Sequence, residues 1–187
     1  RVVKMSVFSC VIKDVKRYDQ KVLYGFVIAL TKIGFWAVLN YRLGKLMREQ
    51  IKIPILKQIL WFLTGLTRLV INIITGIDIP YSANIGGGFK ICHFGTIFIS
   101  SKVVIGDNCT IHQGVTIGKG GHNTETDEPV IGNDVFIGAN ATVIGAITIG
   151  SRVRIGSNVC CYKSINDDMT VVANRIRVIK HENSSVT

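Results

Sequence analysis

The sequence predicts a mainly β protein, a parallel β-helix built of six-residue repeats and preceded by an α-helical cap. Three observations carry this. An aliphatic residue followed by glycine returns in register, at Ile105-Gly106 and Ile117-Gly118, then at Ile131-Gly132, Ile137-Gly138, Ile149-Gly150 and Ile155-Gly156. Ile111, Val143 and Cys161 hold the same phase, and a small or apolar residue follows each anchor by four, as at Cys109, Val115, Val135, Ala141, Ile147, Val153 and Val159. No helix has a period of six, whereas stacked strand-and-turn units, none able to bury its apolar face alone, require one. The third observation is the first 76 residues, where apolar residues recur at helical spacing and the hexapeptide pattern is absent.

In chain order, Lys13, Lys16 and Arg17 beside Val11, Ile12 and Val15 suit a short helix. Residues 21–47 lack proline and read as one helical segment, apolar from Val22 to Leu39 except at Thr31 and Lys32. A charge near the centre argues against a membrane span, so the segment is read as a packed cap or oligomer-interface helix. Its basic and aromatic residues (Tyr24, Trp36, Tyr41, Arg42, Lys45, Arg48) leave an interfacial helix on a membrane as the second reading. Pro54 suits a first helical turn, and Ile55, Leu60, Leu63, Leu66 and Val70 continue a helix that closes at Thr75-Gly76.

The solenoid then begins with Ile77, Asp78 and Ile79. Anchors Ile79, Ile85, Ile91 and Ile97 keep one phase, and Ile99, Ile105, Ile111 and Ile117 keep another displaced by two, which places an irregularity near Ser100-Ser101. Fourteen residues rather than six separate Ile117 from Ile131, so an eight-residue insertion leaves the solenoid there. Loops thrown out from a rigid solenoid are where binding residues concentrate. The reading is residues 1–76 as helical region, 77–162 as β-helix with an inserted loop at about 119–130, and 163–187 as a basic tail whose last six residues are disordered.

Composition narrows the function classes. Of the 187 residues, 48% are hydrophobic and only 18% charged, which predicts that other subunits cover apolar surface. The net charge of +10 is scattered rather than gathered in one arm, and no nucleic-acid motif accompanies it, so a phosphorylated cofactor or an anionic surface is the expected partner. The five cysteines, Cys10, Cys92, Cys109, Cys160 and Cys161, form no CxxC pair and point to a reducing cytoplasm.

These features together (the helical N-terminal part, Ile-Asp-Ile at 77–79, ICHFGT at 91–96, the repeats and the inserted loop) resemble the hexapeptide-repeat acyltransferases. Within them the chain resembles the serine acetyltransferase branch, including exopolysaccharide O-acetyltransferases similar to the colanic acid enzyme. The resemblance implies a left-handed triangular β-helix, assembled as a homotrimer or a multiple of it, with acetyl-CoA in a groove between neighbouring solenoids. It implies His93 as general base on the acceptor hydroxyl and Asp78, fifteen residues earlier, as the carboxylate that orients the imidazole. Ideal strands would leave those two roughly 10 Å apart, so contact needs an irregular turn. It further implies that Gly118, Gly138 and Ala139 stand in turns along the pantetheine arm and that Arg175, Arg177 or Lys180 meets phosphates. The tail reads Ala173-Asn174-Arg175-Ile176-Arg177 where the family has Gly-Asn-Pro-Ala-Arg.

Three further residues are read as lining the acceptor cleft: His112, one residue past an inward anchor, His122 in the inserted loop, and Cys92, placed on the opposite strand face from His93. Histidine separations of nineteen and ten, with no acidic or cysteine partner, predict no zinc site. Serine acetyltransferases carry Asp before the catalytic histidine and Arg-His after the inserted loop. Cys92 and Asp127-Glu128 stand at those positions here. An acid in place of a carboxylate-binding arginine should repel serine. The expectation is therefore acetyl transfer from acetyl-CoA to a sugar or oligosaccharide hydroxyl in exopolysaccharide or capsule biosynthesis, with peripheral contact to the inner membrane face through the N-terminal helices. Serine O-acetylation for cysteine biosynthesis is the alternative, and a non-catalytic solenoid scaffold the third reading.

Overall fold

A computed structural model describes residues 6–51, 53–120 and 128–173. Among the described residues, four helices precede the solenoid. In α1 (Val7–Lys16) the Ser6 side chain caps the first turn by accepting from the Ser9 N–H at 3.2 Å, and Lys13 and Lys16 face the negative end of the helix dipole. The segment read as one helix is two, α2 (Val22–Leu30) and α3 (Ile33–Gln50), bent by 111°. Thr31 supplies the break: its hydroxyl donates back to the Ile28 carbonyl at 2.7 Å, and the Trp36 indole donates to the Leu30 carbonyl at 3.0 Å across the corner. Pro54 opens α4 (Pro54–Thr75), which ends at Gly76 with φ 67°, a conformation glycine adopts without strain.

Among the described residues, fourteen short strands then wind through three parallel sheets. The first holds β1 (Ile77–Asp78), β4 (Ile97–Ile99), β7 (Thr116–Gly118), β10 (Thr142–Ile144) and β13 (Cys160–Cys161). The second holds β2 (Asn84–Ile85), β5 (Val104–Ile105), β8 (Val130–Ile131) and β11 (Thr148–Ile149). The third holds β3 (Lys90–Ile91), β6 (Thr110–Ile111), β9 (Phe136–Ile137), β12 (Arg154–Ile155) and β14 (Thr170–Val171). Each anchor sits on the anchor one coil below, as in Ile85, Ile105, Ile131 and Ile149, or Ile91, Ile111, Ile137 and Ile155. These columns are buried and form one continuous core.

Strand register corrects two boundaries. Ile91 pairs with Ile111 twenty residues on, but Phe98 pairs with Thr116 eighteen residues on, so the two extra residues lie between β3 and β4 and not at Ser100-Ser101. The widened turn contains His93, with Gly95 at φ 124° and Thr96 at φ 42°. The solenoid also outlasts residue 162: Ile165 bridges to Ile149, and β14 pairs with β12. That last coil takes only sixteen residues from Arg154 to Thr170, which hid it from a six-residue count. The insertion falls where expected, since Thr116 pairs with Thr142 twenty-six residues on. Most of it, 121–127, and the tail from 174 onward lie outside the described residues.

The helical cap is joined to the first coil by a buried ion pair. Arg42 of α3, 2% exposed, donates to both carboxylate oxygens of Asp14 at 2.9 and 3.2 Å and to the carbonyls of Ile85 and Gly86. Asp14, 1% exposed, also accepts from the Phe89 N–H at 2.9 Å. Every polar atom taken from water here has a partner, the condition under which a buried pair is tolerated.

Candidate active site

Three corners separate the three sheets, and the corner between the third and first sheets gathers most of the candidate residues. Cys92 and His93 follow β3 there, His112 follows β6, and Gly138 and Ala139 follow β9. Their backbones stack: Cys92 N–H donates to the Ile111 carbonyl, His112 N–H to Ile137 and Gly138 N–H to Ile155, at 3.0, 3.1 and 2.8 Å. The chain thus aligns two imidazoles below a Gly-Ala turn along one edge of the prism. The rings of His93 and His112 lie 5.5 Å apart edge to face, and His112 in turn meets the Phe136 ring at 5.2 Å. Burial first, and the neighbouring His93 second, hold the pKa of His112 below the ordinary 6.5, which keeps it neutral beside His93.

His93 is exposed and opens into a cavity of about 480 Å³. Cys92 lines the same cavity, so the two share one surface instead of facing opposite ways; the widened turn abandons the strict alternation of a strand. The remaining walls come from the cap, through Tyr18, Thr31, Lys32 and Gly34, and from Lys90 of β3. Gly34 makes this closeness feasible. A Cβ there would lie 2.8 Å from Ile91, so a side chain would push α3 off β3 and open the cavity wall. Lys90 could have been suspected from sequence, since it lies two residues before Cys92 and hence on its face. Nothing local in the sequence marks Tyr18 or Lys32.

Other candidates do not join this site within one chain. Asp78 lies on the outer face of the first sheet, where Arg68 of α4 holds its carboxylate at 2.6 and 3.2 Å. It lines a separate cavity of about 540 Å³ with Arg48, Trp61 and Tyr81. The expected Asp78–His93 hydrogen bond is absent from the single chain. Gly118 ends β7 and so belongs to the next corner, where a Cβ would press on Ser100 at 3.2 Å. Gly138 is required by coil stacking, because a Cβ there would lie 2.7 Å from the Ser157 nitrogen. His122, Arg175, Arg177 and Lys180 lie outside the described residues.

Of the acidic pair that argued against an amino-acid acceptor, Asp127, at the arginine position, lies outside the described residues, and the other member is Glu128. It is only 7% exposed, and its carboxylate accepts from the Lys102 N–H at 2.6 Å, so this acid is turned inward to brace the coil below and does not project as a repelling charge.

Comparison with known proteins places the chain. Residues 128–163 match the bacterial transferase hexapeptide family of six repeats, and residues 102–120 match the hexapeptide repeat of succinyl-transferase. The serine acetyltransferase of Synechococcus elongatus is 34% identical over 83% of this chain and 60% of its own length. That of Helicobacter pylori is 34% identical over 78% of this chain and 81% of its own. The crystal structure of the Neisseria gonorrhoeae serine acetyltransferase in complex with serine superposes with a TM-score of 0.70 at 27% identity, covering 90% of this chain and 67% of that one. These relatives overturn the expected sugar acceptor and the link to polysaccharide assembly, and they do not carry the narrower likeness to the colanic acid enzyme. The left-handed β-helix, its helical cap and the repeat signature together make the chain a member of the serine acetyltransferase branch of the hexapeptide-repeat acyltransferases.

Proposed function

We propose that the protein is a serine O-acetyltransferase that uses acetyl-CoA and supplies O-acetylserine for cysteine synthesis. The observation that carries this is the exposed His93 lining a cavity of about 480 Å³, on the same prism edge as the Gly138-Ala139 turn. His93 takes the proton of the serine hydroxyl as its oxygen bonds to the thioester carbonyl carbon. The carbon–sulfur bond then breaks, and the proton held on the imidazole goes to the departing thiolate. Ala139, partly open to solvent one coil above His112, leaves a path for the pantetheine arm toward that carbonyl. Neutral His112 beside it avoids a second positive charge that would disfavour protonation of His93 as it works.

Assembly completes the proposal. Within one chain Asp78 is bonded to Arg68 and lines a different cavity from His93. We therefore assign its orienting role to the groove between two copies, where Asp78 of one would meet His93 of the next. A homotrimer is the proposed unit, with the outward face of α4 as part of its contact. The five free cysteines fit a reducing cytoplasm as its location.

The test is thiol release from acetyl-CoA with L-serine as acceptor. Turnover that falls by about 10²–10⁴ in His93→Ala supports the assignment. Release with sugars and none with serine contradicts it.

A further inference from the structure

The acceptor of a serine acetyltransferase carries a carboxylate, and the positions that answer to the family's Arg-His pair hold Asp127-Glu128 instead. The cavity beside His93 contains two cations that can replace it. Lys90 sits on the strand leading into the His93 turn, two residues before Cys92, with its ammonium 5.0 Å from the centre of the Tyr18 ring and its proton on the Arg17 carbonyl at a long 3.4 Å. Tyr18 thus steadies the amine through its ring face while leaving most of its donors unused. Lys32 lines the same cavity from the cap, where it precedes α3, and among the described residues its ammonium has no hydrogen-bond or ion-pair partner. No carboxylate lines this cavity among the described residues. The other large cavity differs: there Arg68 is already committed to Asp78.

We infer that Lys90, together with Lys32, binds the carboxylate of the amino-acid acceptor and so turns its hydroxyl toward His93. This rests on the serine reading above and names how that acceptor is held. An ammonium is a compact point charge with three rotatable donors, which suits a carboxylate approached from two walls. The solution also explains how a chain with acids at 127 and 128 can accept serine. The recognising charge comes from the strand before the catalytic turn and from the helical cap, not from the inserted loop.

The experiment compares L-serine with L-serinamide, which keeps the hydroxyl and amine but not the carboxylate, in wild type, Lys90→Met, Lys32→Met, the double variant and Lys90→Arg. Loss of a charge-assisted contact should raise KM for serine about 10- to 100-fold in Lys90→Met, with Lys90→Arg recovering part of it. The loss should fall on KM rather than kcat, and KM for serinamide should change less than about twofold, as expected for a contact made by the carboxylate alone. An unchanged KM for acetyl-CoA shows that the variants are folded. Wild-type turnover of serine with equal preference for serinamide, or an unchanged KM for serine in the double variant, overturns the lysine assignment alone. Failure of the wild type to acetylate serine at all overturns the serine reading and this inference together.

Discussion

The solenoid and the helical cap solve burial in opposite directions. In the solenoid the apolar column points inward and polar or small residues decorate the corners. In α4 the two buried residues are Thr64 and Thr75, while Ile55, Phe62, Leu66, Ile73 and many others face outward and exposed. Polar groups mediate its contact with the rest of the chain: Asn40 donates to the Thr67 hydroxyl at 2.6 Å, and the Tyr81 hydroxyl contacts Asn40 and the Thr64 carbonyl at 2.9 and 2.7 Å. At 22 residues, with an 18-residue stretch of mean hydropathy 1.4, α4 is long and apolar enough to cross a membrane, although it packs closely on α3. The solenoid buries its anchors along its length, with Ala37, Val38 and Tyr41 of α3 joining that core, whereas α4 leaves a long apolar face exposed on the single chain.

The largest effect on stability should come from severing the two regions. Arg42→Ala strands the Asp14 carboxylate in the interior and should cost about 3–5 kcal/mol in chemical unfolding, and a paired Asp14→Leu, Arg42→Met variant should regain much of that. Ile111→Ala, in the middle of a buried column, should cost about 2–5 kcal/mol by the same measurement, because its neighbours above and below cannot collapse onto the cavity. Phe62→Ser on α4 should leave the isolated fold intact and weaken self-association by about 1.5–3 kcal/mol per contact, read as lower particle mass on dilution in light scattering. An unchanged mass together with capture by anionic vesicles would assign that face to lipid instead.

The smallest effect concerns His112. Its folded-state pKa is lowered from 6.5, so the unfolded chain binds the proton more tightly and the contribution to stability is complete above about pH 6.5 and lost as pH falls below it. His112→Gln should therefore flatten the decline in Tm between pH 7 and 5.5.

Much of the solenoid was legible because every coil repeats the same demand for an inward aliphatic residue, so many positions vote for one period. The same periodicity could not place the two extra residues of the first coil. A phase shift shows only that residues have been added between two anchors, and the register alone puts them in the His93 turn rather than at Ser100. The final coil was missed because shortening it to sixteen residues leaves Ile165 and Val171 out of phase. In the helical cap, one apolar run concealed the corner at Thr31, which is made by side chains returning to carbonyls and not by proline or glycine.

At the site, the residues on the third-to-first corner were readable by motif and spacing. The cavity that surrounds them was not. Its walls depend on α3 packing against β3 through Gly34, which joins residues more than fifty positions apart. Charge was misread for the same reason. Counting acids after the inserted loop took Asp127-Glu128 as a repelling pair, but the Glu128 carboxylate is folded inward onto the Lys102 N–H, and Asp127 lies outside the described residues.

The role proposed for His93, at the break in the hexapeptide period, is that of base for acetyl transfer to serine. The most direct measurement is acetyl-CoA thiol release with L-serine by wild type and His93→Ala, both verified as folded. Serine-dependent release is expected in wild type, with a loss of about 10²–10⁴ in the variant. Equal rates in the two proteins would contradict that role.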